Sequence, residues 1–435
     1  MKLFYALKRT WCLLFFVLSI YGSVKGQVEF RYFSNFGTAM TDINDSGVAV
    51  MGGAVYYYTA DTIILMDTGI SQLNSINNNG DLAGLMPITI NGQQNYQAAY
   101  KKNGVWYPVG VMANATQDAA VSVYQISEDG NYIAGQSSPD CCDFQAFLYN
   151  IGTGTLETLD DSANEYGAGY CVNNSGVVGG WYDPQPQGTL RVPAVMTTGS
   201  VVTNVPPGPL PMFGGQVSAI SNNNVIVGDI DNVPMIYDQT TGTATTFPVP
   251  APYQTGTFTS VSETGVAVGY YQIFDFGTIT RDAIIYHPSL GSAPLFLKDV
   301  LLTLGVTVNT PDGLLGTAIA ISPDGNFICG WENAQFFFAK GWVINLDDAL
   351  VLGAPGLDAS AGVLVRPNPS TGIFSFAPMR GNDAVDAISV YNAQGKLVIQ
   401  VSGASIDVTE QAPGFYYYMA TSKGGKQYSG KLMKQ

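Results

Sequence analysis

Few residues of this chain have the type and context that catalysis or metal binding requires. The one histidine, His287, stands beside Pro288, so we expect a structural role and neither a Ser–His–Asp triad nor a histidine metal site. The 33 acidic residues show no spacing that marks a catalytic carboxylate pair. Asp and Asn residues in several turns resemble calcium ligands, but no DxDxDG loop is present, and we expect them to cap their own turns. We therefore expect no catalytic residues, no metal ligands and no cofactor, with structural calcium as the alternative.

Aromatic and charged residues that follow glycines are better suited to binding. Trp181, Tyr270 and Trp331 each come directly after a glycine that ends a short apolar run, and Asp229 and Gln136 occupy the same place elsewhere. Aromatic rings with a few polar groups suit a sugar ring or a peptide. The predicted ligand-binding residues are Trp181, Tyr182, Asp183, Asp229, Tyr270, Tyr271, Arg281 and Trp331, with Arg191 in a neighbouring loop. The alternative is that these aromatic rings pack inside the protein.

The glycines that precede these residues belong to a motif with seven copies. Each copy has Ile or Val, then Asn or Ser, two polar residues, a turn glycine (Asn224 in the fifth), an apolar run and, in most copies, a second glycine. The copies are DINDSGVAVMGG (42–53), SINNNGDLAGL (75–85), QISEDGNYIAGQ (125–136), CVNNSGVVGGW (171–181), AISNNNVIVGD (219–229), SVSETGVAVGY (260–270) and AISPDGNFICGW (320–331). Repeats spaced by 33 to 60 residues are typical of an array, solenoid or propeller.

Each copy predicts four antiparallel strands. The motif forms a first hairpin, a third apolar strand follows a variable loop, and most copies add a short turn and a fourth strand. Seven such units are expected to close into a seven-bladed β-propeller over residues 27–350, which leaves no exposed sheet edges. The last blade lacks an obvious fourth strand. We expect VEFRYF (28–33) to supply it, with DALVL (348–352) as the alternative.

The two faces of such a ring differ. Turns between strands one and two and between strands three and four are short, whereas the other connections include long segments such as 86–96, 182–191 and 271–281. Variable loops on a rigid scaffold are where binding usually occurs. We therefore place the ligand on the long-loop face.

The seven segments also resemble the HAF-type extracellular repeats, in which an aliphatic-Asn-x-x-Gly turn precedes a Val-Val-Gly strand and an Ala-Phe strand. CVNNSGVVGGW and QAFLYN (145–150) match this pattern best. The resemblance covers about residues 36 to 346 and implies an extracellular β-fold, but no chemistry.

The C-terminal 73 residues have a different pattern. VLVRPNPSTGIF, VYNAQGKLV, PGFYYY and KLMKQ follow one another from 363 to 435, with alternating apolar residues that predict a small Ig-like β-sandwich. This order resembles the C-terminal sorting domain of the type IX secretion system. The resemblance implies that the secretion machinery is a partner and that the protein is secreted or held at the outer-membrane cell surface of a Gram-negative bacterium. Its motif positions are Pro367, Asn368, Pro369, Gly372, Tyr391, Asn392, Gly395, Lys396, Gly414, Tyr416, Lys431 and Leu432.

The N-terminus agrees with export. Basic residues, the apolar run WCLLFFVLSI (11–20) and a small-residue site before Gln27 predict a signal peptide over 1–26, and 351–362 reads as a linker. No later segment is apolar enough to span a membrane. In an oxidising compartment Cys171 could pair with Cys141 or Cys142.

Charge excludes one class of partner. Residues 27–362 hold seven basic and 29 acidic residues, a net charge of −22, which argues against nucleic acid. The sequence therefore predicts an exported all-β adhesion or binding protein for a glycan, peptide or matrix component. The alternatives are a carboxylate-based hydrolase or lyase of extracellular polymers, and a structural surface protein.

Overall fold

The structure is a computed structural model of the full chain. The residues it describes are 28–34, 39–67, 69–111, 116, 119–138, 144–159, 166–184, 190–199, 201–275, 277–333, 339–346, 363–366, 370–378, 384–392, 396–423 and 427–434. The predicted signal peptide and linker, and the segment DALVL, lie outside this part of the chain.

Residues 29–345 form seven four-stranded antiparallel sheets, one for each copy of the motif. Sheet 1 has β2 (Met40–Ile43), β3 (Val48–Met51), β4 (Ala54–Tyr57) and β5 (Thr62–Leu65); sheet 2 has β6 (Gln72–Ile76), β7 (Leu82–Ile90), β8 (Gln93–Lys102) and β9 (Val105–Gly110); sheet 3 has β10 (Ala120–Ile126), β11 (Tyr132–Ser138), β12 (Gln145–Asn150) and β13 (Thr155–Thr158). Sheet 4 has β14 (Gly167–Val172), β15 (Val178–Tyr182), β16 (Val192–Thr197) and β17 (Val201–Asn204); sheet 5 has β18 (Gly215–Ile220), β19 (Val225–Ile230), β20 (Val233–Asp238) and β21 (Thr243–Thr246). Sheet 6 has β22 (Thr255–Val261), β23 (Ala267–Asp275), β24 (Thr278–Tyr286) and β25 (Leu295–Phe296); sheet 7 has β26 (Thr317–Ile321), β27 (Phe327–Trp331), β28 (Gly341–Asn345) and, from the N-terminal side, β1 (Glu29–Tyr32). A 3₁₀ helix (Pro288–Leu290) and α1 (Leu297–Thr303) lie between sheets 6 and 7.

The seven sheets form a closed ring. Their first strands contact one another in chain order, and β26 of the last sheet contacts β2 of the first. The first strands therefore surround the axis, as in a propeller. The N-terminal strand β1 pairs antiparallel with β28, from Glu29 opposite Asn345 to Tyr32 opposite Trp342. The predictions of a propeller-like fold and of an N-terminal closing strand are confirmed.

Each interface between neighbouring sheets has its own apolar core, because every sheet buries both faces against the next. Val50 and Val55 of sheet 1 pack against Leu73 and Ile76 of sheet 2, for example. The buried apolar cluster with the most residues in the described chain lies between sheets 6 and 7 and contains the fully buried Trp342, whose indole N–H donates to Leu315 O at 2.7 Å.

The first polar residue of each motif caps its own turn, as predicted. Asn44 Oδ1 accepts hydrogen bonds from the backbone N–H of Ser46 and Val48, and Asn173 Oδ1 does the same for Ser175 and Val177. Serine replaces Asn in other copies, with Oγ as the acceptor. An acceptor two to five residues before a turn amide fixes the hairpin in one geometry.

Neighbouring turns are also joined to each other, which the sequence pattern does not predict. The residue after each capping Asn or Ser accepts a hydrogen bond from a backbone N–H of the preceding turn; the donor is the equivalent residue in five turns and the residue after it, Asp129 or Asp324, in two. The bonds run from Asp45 N to Asn78 Oδ1, Asn78 N to Glu128 Oε2, Asp129 N to Asn174 Oδ1, Asn174 N to Asn222 Oδ1, Asn222 N to Glu263 Oε1, Glu263 N to Pro323 O and Asp324 N to Asp45 Oδ1. These seven hydrogen bonds, 2.8 to 3.1 Å long, connect all seven turns. We call them the turn-side circle.

The second glycine of the motif is explained by a β-bulge. Every first strand has its register shift at the same place, so the facing residue of the second strand lies against a backbone carbonyl. A Cβ on Gly180 would lie 1.8 Å from Ala168 O, and one on Gly84 would lie 2.1 Å from Gln72 O. Six of the seven sheets have glycine here, whereas sheet 1 has the buried Met51. The close backbone carbonyl at the bulge therefore explains why six of the seven sheets have glycine, which lacks a Cβ, at this position.

The C-terminal residues form a small β-sandwich. One sheet contains β29 (Val363–Arg366), β30 (Ile373–Pro378) and β33 (Ser405–Asp407); the other contains β31 (Val385–Tyr391), β32 (Leu397–Ser402), β34 (Gly414–Ser422) and β35 (Gln427–Lys434). One cluster including Phe374, Ile388 and Tyr418 is shared between the two sheets. The predicted C-terminal β-domain is confirmed.

Two expectations are corrected. Cys171 carries a free, buried thiol that lies 3.5 Å from Gly179 O, so the expected disulfide from this residue is not formed; Cys141 and Cys142 lie outside the described residues. The segments 86–96 and 271–281 are not irregular loops, because their strands continue to Ile90 and Asp275 and form extended hairpins. Alternating apolar and polar residues in both segments suit paired strands.

Candidate functional site

The residue after the second glycine lies at the loop side of each sheet. Trp181, Asp229 and Tyr270 occupy this position in sheets 4, 5 and 6, opposite Ala168, Gln216 and Thr257 of the first strands. All three side chains are half-buried. The structure therefore brings three of the predicted residues to equivalent places in three consecutive sheets.

Two arginines lie over the aromatic rings of this row. The guanidinium carbon of Arg191 is 4.6 Å from the centre of the Trp181 ring, and that of Arg281 is 4.4 Å from the centre of the Tyr270 ring. Arg281 is held by hydrogen bonds from Nε to Gln272 Oε1 at 2.7 Å and from Nη1 to Thr317 Oγ1 at 3.4 Å. Such stacking orients a guanidinium while leaving its N–H edge available.

Asp229 is the acidic residue between these two stacks. Burial raises its pKa to about 6, and a hydrogen bond from Thr257 and the charge of Arg191 oppose that rise. Burial raises the pKa of Tyr270. The charge of Arg281 lowers this pKa, and the charge of Asp229 raises it further. These mutual effects place Asp229 within electrostatic reach of both sheets that flank it.

Two tyrosines extend the row toward the ring axis. Trp181 donates from Nε1 to the hydroxyl of Tyr170 at 3.0 Å, and the Tyr170 ring meets the Tyr124 ring edge to face at 4.8 Å. Both tyrosines are the bulged residues of their first strands. We call the seven residues Tyr124, Tyr170, Trp181, Arg191, Asp229, Tyr270 and Arg281 the loop-face cluster.

Sequence reasoning missed Tyr124 and Tyr170, although a signal was present. Both stand three residues before the capping Ser or Asn of their motif, where the other copies have Thr41, Asn74, Ser218, Thr259 and Ile319. Two consecutive copies of the motif thus have Tyr at a position where the other five have smaller residues, which indicates that these two copies differ in function from the rest. The position of these two tyrosine side chains depends on the β-bulge, which the sequence does not show.

Exposed apolar side chains lie on both sides of the loop-face cluster. In the hairpin of sheet 6, Phe274 is paired with Ile279 two positions outward from Gln272 and Arg281, and therefore on the same face. They are 51% and 50% exposed. On the other side, Met212 and Phe213 are 77% and 69% exposed in a segment that ends where Gly215 N donates to Arg191 O at 2.9 Å.

The other predicted binding residues have contacts inside the protein. Tyr182 is buried and donates to Asn204 Oδ1 at 2.6 Å, and Asp183 is buried and accepts from Leu190 N at 3.1 Å. Tyr271 packs against Tyr253 and Phe296. Trp331 is buried beside Ala39 and Ala339, between sheets 7 and 1.

Carboxyl groups with raised pKa values also occur on the opposite, short-turn face. Burial, followed by the charge of Asp42, raises the pKa of Glu128 to about 8, and burial raises that of Asp42 to about 6. His287 Nδ1 accepts from Ser289 N at 3.1 Å and so caps the short 3₁₀ helix, as expected for a structural histidine. No cluster of three potential metal ligands occurs among the described residues.

The described sorting-motif positions shape turns of the sandwich. A Cβ on Gly372 would lie 2.3 Å from Thr409 Oγ1, and the Tyr416 hydroxyl donates to Ala412 O at 2.7 Å. Leu432 is fully buried. Pro367, Asn368, Pro369 and Gly395 lie outside the described residues.

The fold defines this chain as a propeller-like protein with a small C-terminal β-domain. Residues 364–435 match the family described as the secretion system C-terminal sorting domain. The chain therefore carries a type IX sorting domain, and it is secreted or displayed on the outer-membrane surface of a Gram-negative bacterium. Within the described residues, no helix is both long and apolar enough to cross a membrane.

Solved structures similar to the chain include an extracellular domain, a lyase and TolB proteins. The extracellular domain of a hybrid two-component system from B. thetaiotaomicron is 11% identical over 93% of this chain, with a TM-score of 0.44, and the chain spans 57% of that structure. An oligogalacturonate lyase in complex with manganese is 9% identical over 75% of this chain and 98% of its own, also with a TM-score of 0.44. TolB from Acinetobacter baumannii is 10% identical over 70% of this chain and 78% of its own, with a TM-score of 0.36. These likenesses say nothing about the activity of this chain. A search of curated protein sequences found no match.

Proposed function

We propose that this exported protein binds an extracellular ligand through the loop-face cluster and acts in adhesion or ligand capture. The observation that carries the proposal is the pair of Arg–aromatic stacks on either side of Asp229. A structural role alone does not require two guanidinium groups at the loop side of a ring that has only seven basic residues between 27 and 362. Long-loop faces of rigid scaffolds are common binding surfaces.

Binding is favoured over the alternative of a carboxylate-based hydrolase or lyase. Such an enzyme needs two carboxyl groups at a set separation around the reacting bond. Asp229 is the one carboxylate of the loop-face cluster, and its neighbours are cations and aromatic rings. Glu128 and Asp42 belong to the short-turn side, where the turn-side circle already uses Glu128 as an acceptor.

The proposal is tested by probing arrays of glycans and short random-sequence peptides with the mature chain and two tryptophan variants. Trp181→Ala is expected to lower affinity for the bound ligand more than roughly tenfold, as expected for a buried aromatic anchor. Trp106→Ala is the matched control, because Trp106 is also half-buried near a cation, Lys101, but lies in sheet 2. Absence of binding to either array, or equal affinity of the wild type and Trp181→Ala, would refute the proposal.

A further inference from the structure

We infer that the ligand of the loop-face cluster is a polypeptide segment in which Asp or Glu side chains are flanked by apolar ones. This inference rests on the proposed function and adds the chemical class of the ligand. It follows from two features of the surface: two central arginines that form no direct ion pair among the described residues, and exposed apolar side chains at both edges.

The two central arginines differ from three other cations of the described residues in forming no direct ion pair. Arg31, Lys101 and Lys298 form ion pairs with carboxylates at 2.6 to 3.3 Å. Among the described residues, Arg191 and Arg281 form no ion pair within 4.0 Å. Asp229 interacts electrostatically with Arg191, but no direct ion pair joins the two side chains. The exposed, stacked guanidinium of Arg191 presents an N–H edge of the kind that recognises a carboxylate in a bidentate manner, whereas Nε and Nη1 of Arg281 already donate to Gln272 and Thr317.

The ion pair in sheet 2 shows what a closed site looks like. Lys101 lies near the Trp106 ring, with its Nζ 5.9 Å from the ring centre, and Asp67 accepts bonds from both residues. The residue types match those of the loop-face cluster, but here the protein supplies its own carboxylate. At the stack of sheet 4 no described carboxylate pairs with the cation, whereas Arg281 of sheet 6 already donates to the neutral acceptors Gln272 Oε1 and Thr317 Oγ1.

The apolar edges favour a polypeptide over an acidic glycan. Met212, Phe213, Phe274 and Ile279 are each at least half exposed, and a hydrophilic polymer of uronic acids has no group that would cover Met or Ile side chains. Protein interfaces are enriched in Met, Phe, Tyr, Trp and Arg, which are the residue types that meet here. Covering the four side chains would remove apolar surface from water and so stabilise the complex.

Asp229 adds a hydrogen-bond acceptor to the two arginines at the centre of the loop-face cluster. It lies between the two stacks and is an acceptor for a donor group of the ligand, such as a backbone N–H between two acidic side chains. A polypeptide supplies such a donor at every residue except proline. The centre therefore accepts alternating carboxylates and N–H groups.

The experiment uses the peptides selected on the array by the full mature chain. The selected peptides are expected to be enriched in Asp or Glu next to apolar residues. Replacing their acidic residues by Asn or Gln, or their apolar residues by Ser, should each lower affinity more than roughly tenfold. In the protein, Arg191→Gln should lower affinity similarly, whereas Lys101→Gln, the matched change at the closed site, should not.

Charge exchange distinguishes recognition from loss of folding. Arg191→Glu should lose the acidic peptide and recover affinity for the same peptide with Lys in place of its acidic residues, since Arg191 is exposed and tolerates either charge. Selection of neutral or basic peptides, or of carboxylated glycans instead of peptides, would overturn the inference while leaving a ligand site at Trp181. If nothing binds in a Trp181-dependent manner, both the inference and the proposed function fail.

Discussion

Glu128 is a carboxyl group of the turn-side circle with a strongly raised pKa. Its Oε2 accepts from Asn78 N, which favours the charged form, but burial and the charges of Asp42, Asp45 and Glu263 disfavour it. The pKa of about 8 compares with an ordinary value of 4.5. Between these pH values the folded protein binds more protons than the unfolded chain, so the free energy of unfolding falls as pH rises from about 4.5 to about 8.

Replacing Glu128 by Gln should therefore raise the thermal midpoint at pH 8 and change it little at pH 5. Gln keeps the acceptor for Asn78 N but carries no charge, so the cost of ionising a buried carboxyl is removed. Thermal unfolding followed by circular dichroism from pH 5 to pH 8 measures the effect. Glu157→Gln is the control, because Glu157 also accepts a backbone N–H, from Gly199, but is not among the charges that raise the pKa of Glu128. A lower midpoint of Glu128→Gln at pH 8 would show that the charge is needed.

Within one strand, the structure separates neighbouring residues that the sequence treats alike. Tyr270 belongs to the loop-face cluster, whereas Tyr271 is buried against Tyr253, because successive side chains of a strand point to opposite faces. The sequence pattern predicts a loop over residues 271–281, where this alternation does not apply. The turns, the strand order and the closing strand follow from local spacing and could be predicted. The burial of Trp331 could not be predicted in this way, because it depends on contacts between the last and first sheets, whose residues are far apart in the chain.

The bulge glycines provide a prediction for the repeat as an element. Gly84→Ala places a Cβ 2.1 Å from Gln72 O, a contact that only a backbone shift can relieve, and we expect it to destabilise the protein by about 1–3 kcal/mol. Gly53→Ala is the matched control, because no atom lies within 4 Å of its Cβ, and its effect should stay within about 0.5 kcal/mol. Urea unfolding of both variants measures the difference. Equal stability of the two would mean that the motif glycine is not required by the bulge.

The ring as a whole depends on a strand from the other end of the chain. Three kinds of contact close it: β1 pairs with β28, β2 contacts β26 and β27, and Asp324 N donates to Asp45 Oδ1. β1 also covers the core between sheets 6 and 7, where Phe30 and Tyr32 pack beside Trp342. Because the ring is closed, the loop-face cluster of sheets 4 to 6 is held at fixed spacing by sheets that do not contact the ligand.

Deleting residues 28–33 from the mature chain should therefore weaken the whole ring and not only its last sheet. The deletion exposes the edge of β28 and uncovers part of the core around Trp342, so we expect a lower thermal midpoint and self-association through the unpaired edge. Light scattering with size-exclusion chromatography detects the association, and calorimetry gives the midpoint. Arg31→Gln is the control, because it keeps β1 but removes the ion pairs to Glu29 and Asp61, which are partly exposed and should contribute less than about 1 kcal/mol each. A monomeric deletion variant with the midpoint of the wild type would show that the turn-side circle and the contacts of β2 close the ring without β1.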